Sequence, residues 1–386
     1  MPMNNAASFS HLSKSIKITN FVLIFGYFIL QAMDNFLRET RSDLLGINKL
    51  KNIYLAAIAG LFLIEVLMMS HKGKKRLIFK QELTSMLFLA AGFAILSIYY
   101  AYVNGGLYSV TVEGLYRIVF PVVIAFCILN VMQHDDIFIM LKGTFWIMFI
   151  SYLCANLGNL SSFSLRFWDS TASGTESNFY SPVAIAFCCA FCCWYRKHIY
   201  MLLSVFFVLL TFKRIMIFFA LFWFFTGGIL KKAKDLPRFF VPIFGVAFLL
   251  VSWFYYLTMM GQFDDILRSS IDETANSFSM GRAWMMQSAQ KNFVSHGFYS
   301  TTLNARAMEM DIPMIYIEMG ILAVALTIFC ILRMVERNWS VFTVCVFILL
   351  ELLTSHWFDI SSYWLIAYIT IGSIKFDGQR LTAEKI

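Results

Sequence analysis

Apolar runs long enough to cross a lipid bilayer recur along nearly the whole of this chain, and no other feature limits its fold so strongly. A helix needs about 20 apolar residues to span the hydrocarbon, somewhat fewer where it is kinked or shielded by protein. Twelve runs meet that requirement, at approximately 18–33, 52–69, 84–103, 115–132, 137–156, 178–195, 198–212, 215–230, 239–259, 312–334, 339–357 and 360–374. The chain therefore reads as an all-α, polytopic integral membrane protein with about twelve transmembrane helices, built as one helical domain over residues 1–386. Composition closes off a soluble fold: 59% of residues are hydrophobic and 14% charged, against about 25% charged in soluble domains. No internal repeat or low-complexity tract interrupts the series.

The formal net charge is +8. Nucleic-acid binding would need those cations gathered on one solvated face, whereas here they punctuate the ends of apolar runs, which is the pattern of orientation signals and anionic-lipid contacts. Basic residues follow the even-numbered runs: Lys72, Lys74, Lys75 and Arg76, then Arg196 and Lys197, then Lys231, Lys232 and Lys234, then Arg333 and Arg337, with Lys375 and Arg380 closing the chain. Loops 104–114 and 356–359 carry no Lys or Arg. Both termini are thus expected on the cytoplasmic side, with the run after Lys14 and Lys17 an uncleaved first span. One loop opposes this assignment, since 34–51 would lie outside yet carries Arg38, Arg41, Lys49 and Lys51.

All eight cysteines fall inside apolar stretches. Cys188, Cys189, Cys192 and Cys193 imitate metal-ligand spacing, but thiols in such a run behave as small hydrophobes, so no metal is expected. There is no Gly-rich phosphate loop, no histidine pair with metal spacing and no nucleophile motif, and no nucleotide donor is implied.

Three places depart from a plain bundle. Residues 259–311 form the one long polar stretch, a large loop on the outer side, and within it 278–293 has helical period. Phe278, Met285, Met286, Ala289 and Phe293 share a face there, with Arg282 in its middle. Lys213 and Arg214 interrupt an otherwise uncharged run, which reads as a helical hairpin with two cations at its outer tip, and ionisable groups at such depth face a cavity or pathway. A smaller outer loop, 157–177, holds Arg166, Asp169 and Glu176. Arg166, Arg214 and Arg282 together would clamp an anion such as a lipid-linked pyrophosphate. Glu318, Asp311 and His296 are the candidate proton acceptors, while Glu65 and Lys142 fall nearer the cytoplasmic ends of their runs and Glu351 sits deeper in its own.

Four short patches, in order and membrane placement, carry a resemblance: Glu176-Ser177-Asn178-Phe179, Phe212-Lys213-Arg214, Gly281-Arg282-Ala283-Trp284 through His296-Gly297, and Glu318-Met319-Gly320-Ile321. The arrangement resembles the O-antigen polymerase and O-antigen ligase superfamily, membrane glycosyltransferases with a GT-C-like fold. The resemblance implies metal-independent transfer of an undecaprenyl-pyrophosphate-linked glycan at the periplasmic face of a bacterial inner membrane. It implies no cofactor and no nucleic acid, membrane lipids as surroundings, and a chain-length regulator as protein partner. Arg214 and Arg282 match the family's pyrophosphate-holding arginines. Arg166 departs from the pattern, because Gly174 follows it too closely. Ligases place a histidine shortly before the Glu-x-Gly patch and 301–316 holds none, so polymerase is preferred to ligase. A flippase or other transporter for a lipid-linked sugar is the alternative of another class, although such proteins show repeats and broken helices.

Overall fold

The computed structural model describes residues 14–40, 46–71, 77–158, 177–233, 235–279, 281–291, 293–304 and 309–383. Among them every regular element is helical. In chain order these are α1 (Lys14–Glu39), α2 (Ile47–His71), α3 (Lys80–Asn104), α4 (Ser109–Val131), α5 (His134–Asn156), α6 (Ser181–Cys189), α7 (His198–Thr211) and α8 (Arg214–Lys232). Then follow α9 (Phe240–Met259), the short α10 (Asp264–Ile271), α11 (Ala275–Phe278) and α12 (Arg282–Gln290), and finally α13 (Asp311–Arg333), α14 (Trp339–Thr354) and α15 (Ser361–Ala383). Eight of them, α1 to α5, α8, α9 and α13, are long and apolar enough to cross a membrane. The helices over Ser181–Tyr195, His198–Thr211 and Trp339–Thr354 are apolar but shorter. All twelve apolar runs are helical; length separates the eight from the helices over Ser181–Tyr195, His198–Thr211 and Trp339–Thr354, while the 23-residue α15 is less apolar.

The chain divides into two compact units: Met1–Lys80 with Phe120–Ala233 and Ser362–Ile386, and Gln81–Val119 with Lys234–Ser361. Apolar runs say which segments avoid water but not which neighbours they choose.

In the first unit α1 packs on α5 and α2, and α6 on α7 and α8. Lipid tails are as apolar as the side chains they face, so close packing and polar contacts must hold these helices together. Aromatic rings supply much of the packing: Phe145 meets Phe187 and Phe191 edge-on at 5.5 and 5.7 Å, and Phe149 meets Phe207 at 5.2 Å. Past Cys189, α6 widens into a π-helix over Ala190–Tyr195. It ends at Arg196, whose backbone is left-handed and whose N–H donates to Phe191 O at 2.8 Å.

In the second unit α13 packs against α9 and α14, and α12 against α9. Helix α13 is discontinuous: Gly320 has φ 78° and ψ −177° in mid-helix, a conformation closed to side-chain-bearing residues. The break frees carbonyls that a continuous helix would satisfy, and the Ser295 hydroxyl donates to Glu318 O.

The loop between α9 and α13 differs from its expected form. In place of one amphipathic helix over 278–293, the chain forms α11 and α12, with Gly281 at φ 91° between them. Ala283, Met286 and Ala289 make the buried face of α12. Arg282 therefore stands at the first turn and not mid-face.

Candidate functional site

The four patches pair off, two in each unit. In the first unit, Ser177 N donates to Thr211 O at 3.3 Å, which holds the 177–179 patch against the α7–α8 tip. The Ser177 hydroxyl donates to Glu39 Oε2 at 2.9 Å, and Asn35 Nδ2 to Phe179 O at 2.9 Å. At the tip Phe212 adopts a left-handed backbone (φ 52°), Lys213 takes the position before the helix, and Arg214 is its first residue. Among the described residues no side chain caps α8. Its first amides therefore have no side-chain acceptor among those residues, beside two cations that the helix dipole disfavours at this end. Arg214 is exposed and makes no ion pair among the described residues.

The same end of α1 accounts for the one opposing loop. Lys51 Nζ lies 2.5 Å from Asp34 Oδ2 and Arg38 Nε 3.0 Å from Asp34 Oδ1, so two of its four cations serve one buried carboxylate. The Arg38 guanidinium also lies over the Phe179 ring, 5.7 Å from its centroid.

In the second unit, the segment from Ser295 to Thr301 is pinned from three sides. Asn104 Nδ2 of α3 donates to Ser295 O at 2.7 Å, and Phe298 N donates to Ser97 Oγ at 3.0 Å. From α4, Thr111 Oγ1 donates to Phe298 O at 2.9 Å. From α13, the Glu318 carboxylate accepts from Tyr299 N at 2.8 Å and from both Thr301 N and Thr301 Oγ1 at 2.7 Å. Gly297 lies flat on α3, where a Cβ would stand 2.6 Å from the Ser97 Cα.

A chain of charged groups runs beside this segment. Arg117 Nη2 lies 2.5 Å from Glu113 Oε1 and its Nη1 3.6 Å from Asp359 Oδ2. His356 Nε2 lies 4.0 Å from Asp359 Oδ1, and its Nδ1 2.6 Å from Asp311 Oδ1. The other Asp311 oxygen accepts from Trp357 N at 2.5 Å and Phe358 N at 3.0 Å. Burial works against a charged His356, yet the Asp311 and Asp359 carboxylates outweigh it and hold the imidazolium up at about 9. The Tyr299 ring lies 5.4 Å from that of His356, and burial pushes its phenol well up. The Tyr299 and Ser300 hydroxyls are buried without a partner among the described residues.

Of the residues expected from sequence, His296, Asp311, Glu318 and Arg282 lie in the second unit, and Lys213 and Arg214 in the first. Arg166 lies outside the described residues. Arg282 Nε is 3.4 Å from Glu309 Oε2, both half-exposed. The Glu318 and Asp311 carboxylates are occupied by the donors named above. His296 rests edge-on against Tyr108 at 4.9 Å and keeps Nδ1 without a partner among the described residues.

Sequence reasoning passed over Arg117, His356, Asp359 and Tyr299. Arg117 carried a signal, a cation two residues inside the fourth apolar run; His356 and Asp359 sit in a loop noted only for lacking Lys and Arg. Comparison with family models, with curated proteins and with solved structures finds no match to this chain.

Proposed function

We propose that the protein is a membrane glycosyltransferase of the O-antigen polymerase kind, transferring an undecaprenyl-pyrophosphate-linked glycan onto a lipid-linked repeat unit at the periplasmic face of a bacterial inner membrane. The observation that carries this reading is the tip of α8, a helix N-terminus that Lys213 does not cap, with Arg214 exposed and in no ion pair among the described residues. An anion docked on the amides at this end would be favoured by the helix dipole and by the two neighbouring cations. A planar guanidinium adds bidentate geometry suited to phosphate oxygens. In the transfer, the acceptor hydroxyl attacks the anomeric carbon, the bond from that carbon to the pyrophosphate oxygen breaks, and undecaprenyl pyrophosphate leaves with the electron pair. The hydroxyl proton must go to a nearby base. Of the three candidates, His296 keeps Nδ1 without a partner among the described residues, whereas Asp311 faces His356 and two backbone amides and Glu318 accepts from the 299–301 segment, which supports His296 as the base.

Two observations favour other readings. The break in α13 at Gly320 is a feature of transporters, whose sites are built on discontinuous helices. His356, from the α14–α15 loop, lies 2.6 Å from Asp311 at the head of α13, and a histidine near that helix favours a ligase although 301–316 holds none. The glycan phenotype of a deletion strain separates all three. A polymerase predicts single repeat units on lipid A, a ligase predicts long undecaprenyl-linked chains with none on lipid A, and a flippase predicts lipid-linked units that stay on the cytoplasmic face.

A further inference from the structure

At the opposite end of α8 from Lys213 and Arg214, the first unit carries an open groove of about 600 Å³ lined by Arg196, Phe225, Gly228, Ile229, Lys231 and Lys232. Its basic wall is built, not incidental. The π-helix ends at Arg196 in a left-handed conformation, which turns the side chain back across α8. There the guanidinium lies flat on two glycines: a Cβ at Gly228 would stand 2.9 Å from its Cζ, and one at Gly227 3.0 Å from its Nη1. Arg196 Nη1 donates to Cys192 O at 3.1 Å, which leaves most of its five N–H groups uncommitted to that carbonyl. Lys231 is held by Asp377 Oδ2 at 3.2 Å and by Trp194 O at 3.3 Å, while Lys232 is exposed. Asp377 also meets His134 Nε2 at 3.3 Å and accepts from Trp194 Nε1 at 3.2 Å, so the one carboxylate that Lys231 faces is shared with two other partners.

Lysines in the last turn of a helix complement its dipole wherever it stands. That accounts for Lys231 and Lys232, but not for a glycine pair that seats an arginine from another helix. Below the cations, Phe225 and Ile229 are 71% and 70% exposed on the same face of α8 and continue the groove along the helix. Phosphate-binding cations above an apolar face fit a ligand with an anionic head and hydrocarbon chains.

We propose that Arg196, Lys231 and Lys232 form a binding seat for the phosphodiester of an anionic phospholipid whose acyl chains run along Phe225 and Ile229. The seat lies away from the glycan chemistry and does not depend on it. Native mass spectrometry of the delipidated full chain in detergent, titrated with phosphatidylglycerol, phosphatidylcholine or inorganic phosphate, tests it. The chain should bind phosphatidylglycerol in preference to phosphatidylcholine, and Arg196→Gln and Lys232→Gln should each weaken that binding about fivefold. Lys232 is exposed, so its loss cannot be ascribed to misfolding. Gly228→Ala keeps every charge but displaces the guanidinium, and it should weaken binding in the same direction. Equal binding of the two lipids, or unchanged affinity in both Arg196→Gln and Lys232→Gln, would overturn the seat. Displacement of phosphatidylglycerol by millimolar inorganic phosphate would overturn the lipid in favour of a free anion.

Discussion

His356 and Asp311, 45 residues apart in sequence, meet at 2.6 Å between Nδ1 and Oδ1 and join the α14–α15 loop to the head of α13. Asp311 also accepts the backbone amides of Trp357 and Phe358, so one carboxylate organises the whole connection.

This pair predicts a pH dependence. His356 is raised from 6.5 to about 9, so its charged form stabilises the fold in full below about 6.5, and that contribution fades as pH rises through 9. At 1.36 kcal/mol per unit its ceiling is roughly 3 kcal/mol. Melting temperature in detergent should fall between pH 6.5 and 9, and Asp311→Asn should lower it at pH 7 and flatten the slope. A wild-type melting temperature constant over that range would remove the pair from the stability of the fold.

Glu318 accepts from two amides and one hydroxyl of the 299–301 segment. Glu318→Gln keeps the shape but turns an NH₂ towards a backbone N–H, leaving a buried donor unsatisfied at a cost of about 1–3 kcal/mol. The variant should melt lower and lose activity in proportion. Undiminished melting temperature with abolished glycan transfer would instead mark Glu318 as a catalytic group.

Two glycines should fail for different reasons. A Cβ at Gly320 meets nothing within 4 Å, so Gly320→Ala should cost roughly 1–3 kcal/mol from backbone strain alone. Gly297→Ala adds a collision with the Ser97 backbone to its own positive φ of 102°, and its loss of thermal stability should be the larger. The reverse order would mean that α13 tolerates closure of the break.

At the tip of α8, Arg214→Lys keeps the charge and loses the fork, and polymer length on a lipopolysaccharide gel should collapse at equal expression. Arg282→Ala should also abolish polymer while leaving the protein inserted, because its half-exposed pair with Glu309 contributes little to stability. Full-length polymer from either variant would exclude that arginine from the proposed pyrophosphate binding.

Orientation can be read at Lys291, which is exposed at the end of α12, whereas Ser300 in the same loop is buried and would resist labelling. In a Cys154→Ser background, chosen because Cys154 is the exposed native thiol, Lys291→Cys should react with a membrane-impermeant maleimide from outside. Reaction only from the cytoplasmic side would invert the topology.

The length of the apolar runs dictates where the chain is helical, because burial in hydrocarbon obliges each long run to satisfy its own backbone, and every such run is a helix. The sequence also marked Lys213 and Arg214 as the tip of a hairpin, since two cations inside an apolar run interrupt it whatever surrounds them. It could not decide which helices gather into each unit, as lipid and protein present equally apolar surfaces to most of these side chains. Nor could periodicity foresee that Gly281 splits an amphipathic stretch or that Gly320 breaks α13. The break at Gly320 depends on what the chain touches elsewhere, since Ser295 satisfies a carbonyl that it exposes. His356 and Asp359 carried no local signal at all. Their significance lies in Asp311 and Arg117, and only the tertiary structure places those four charges in one line.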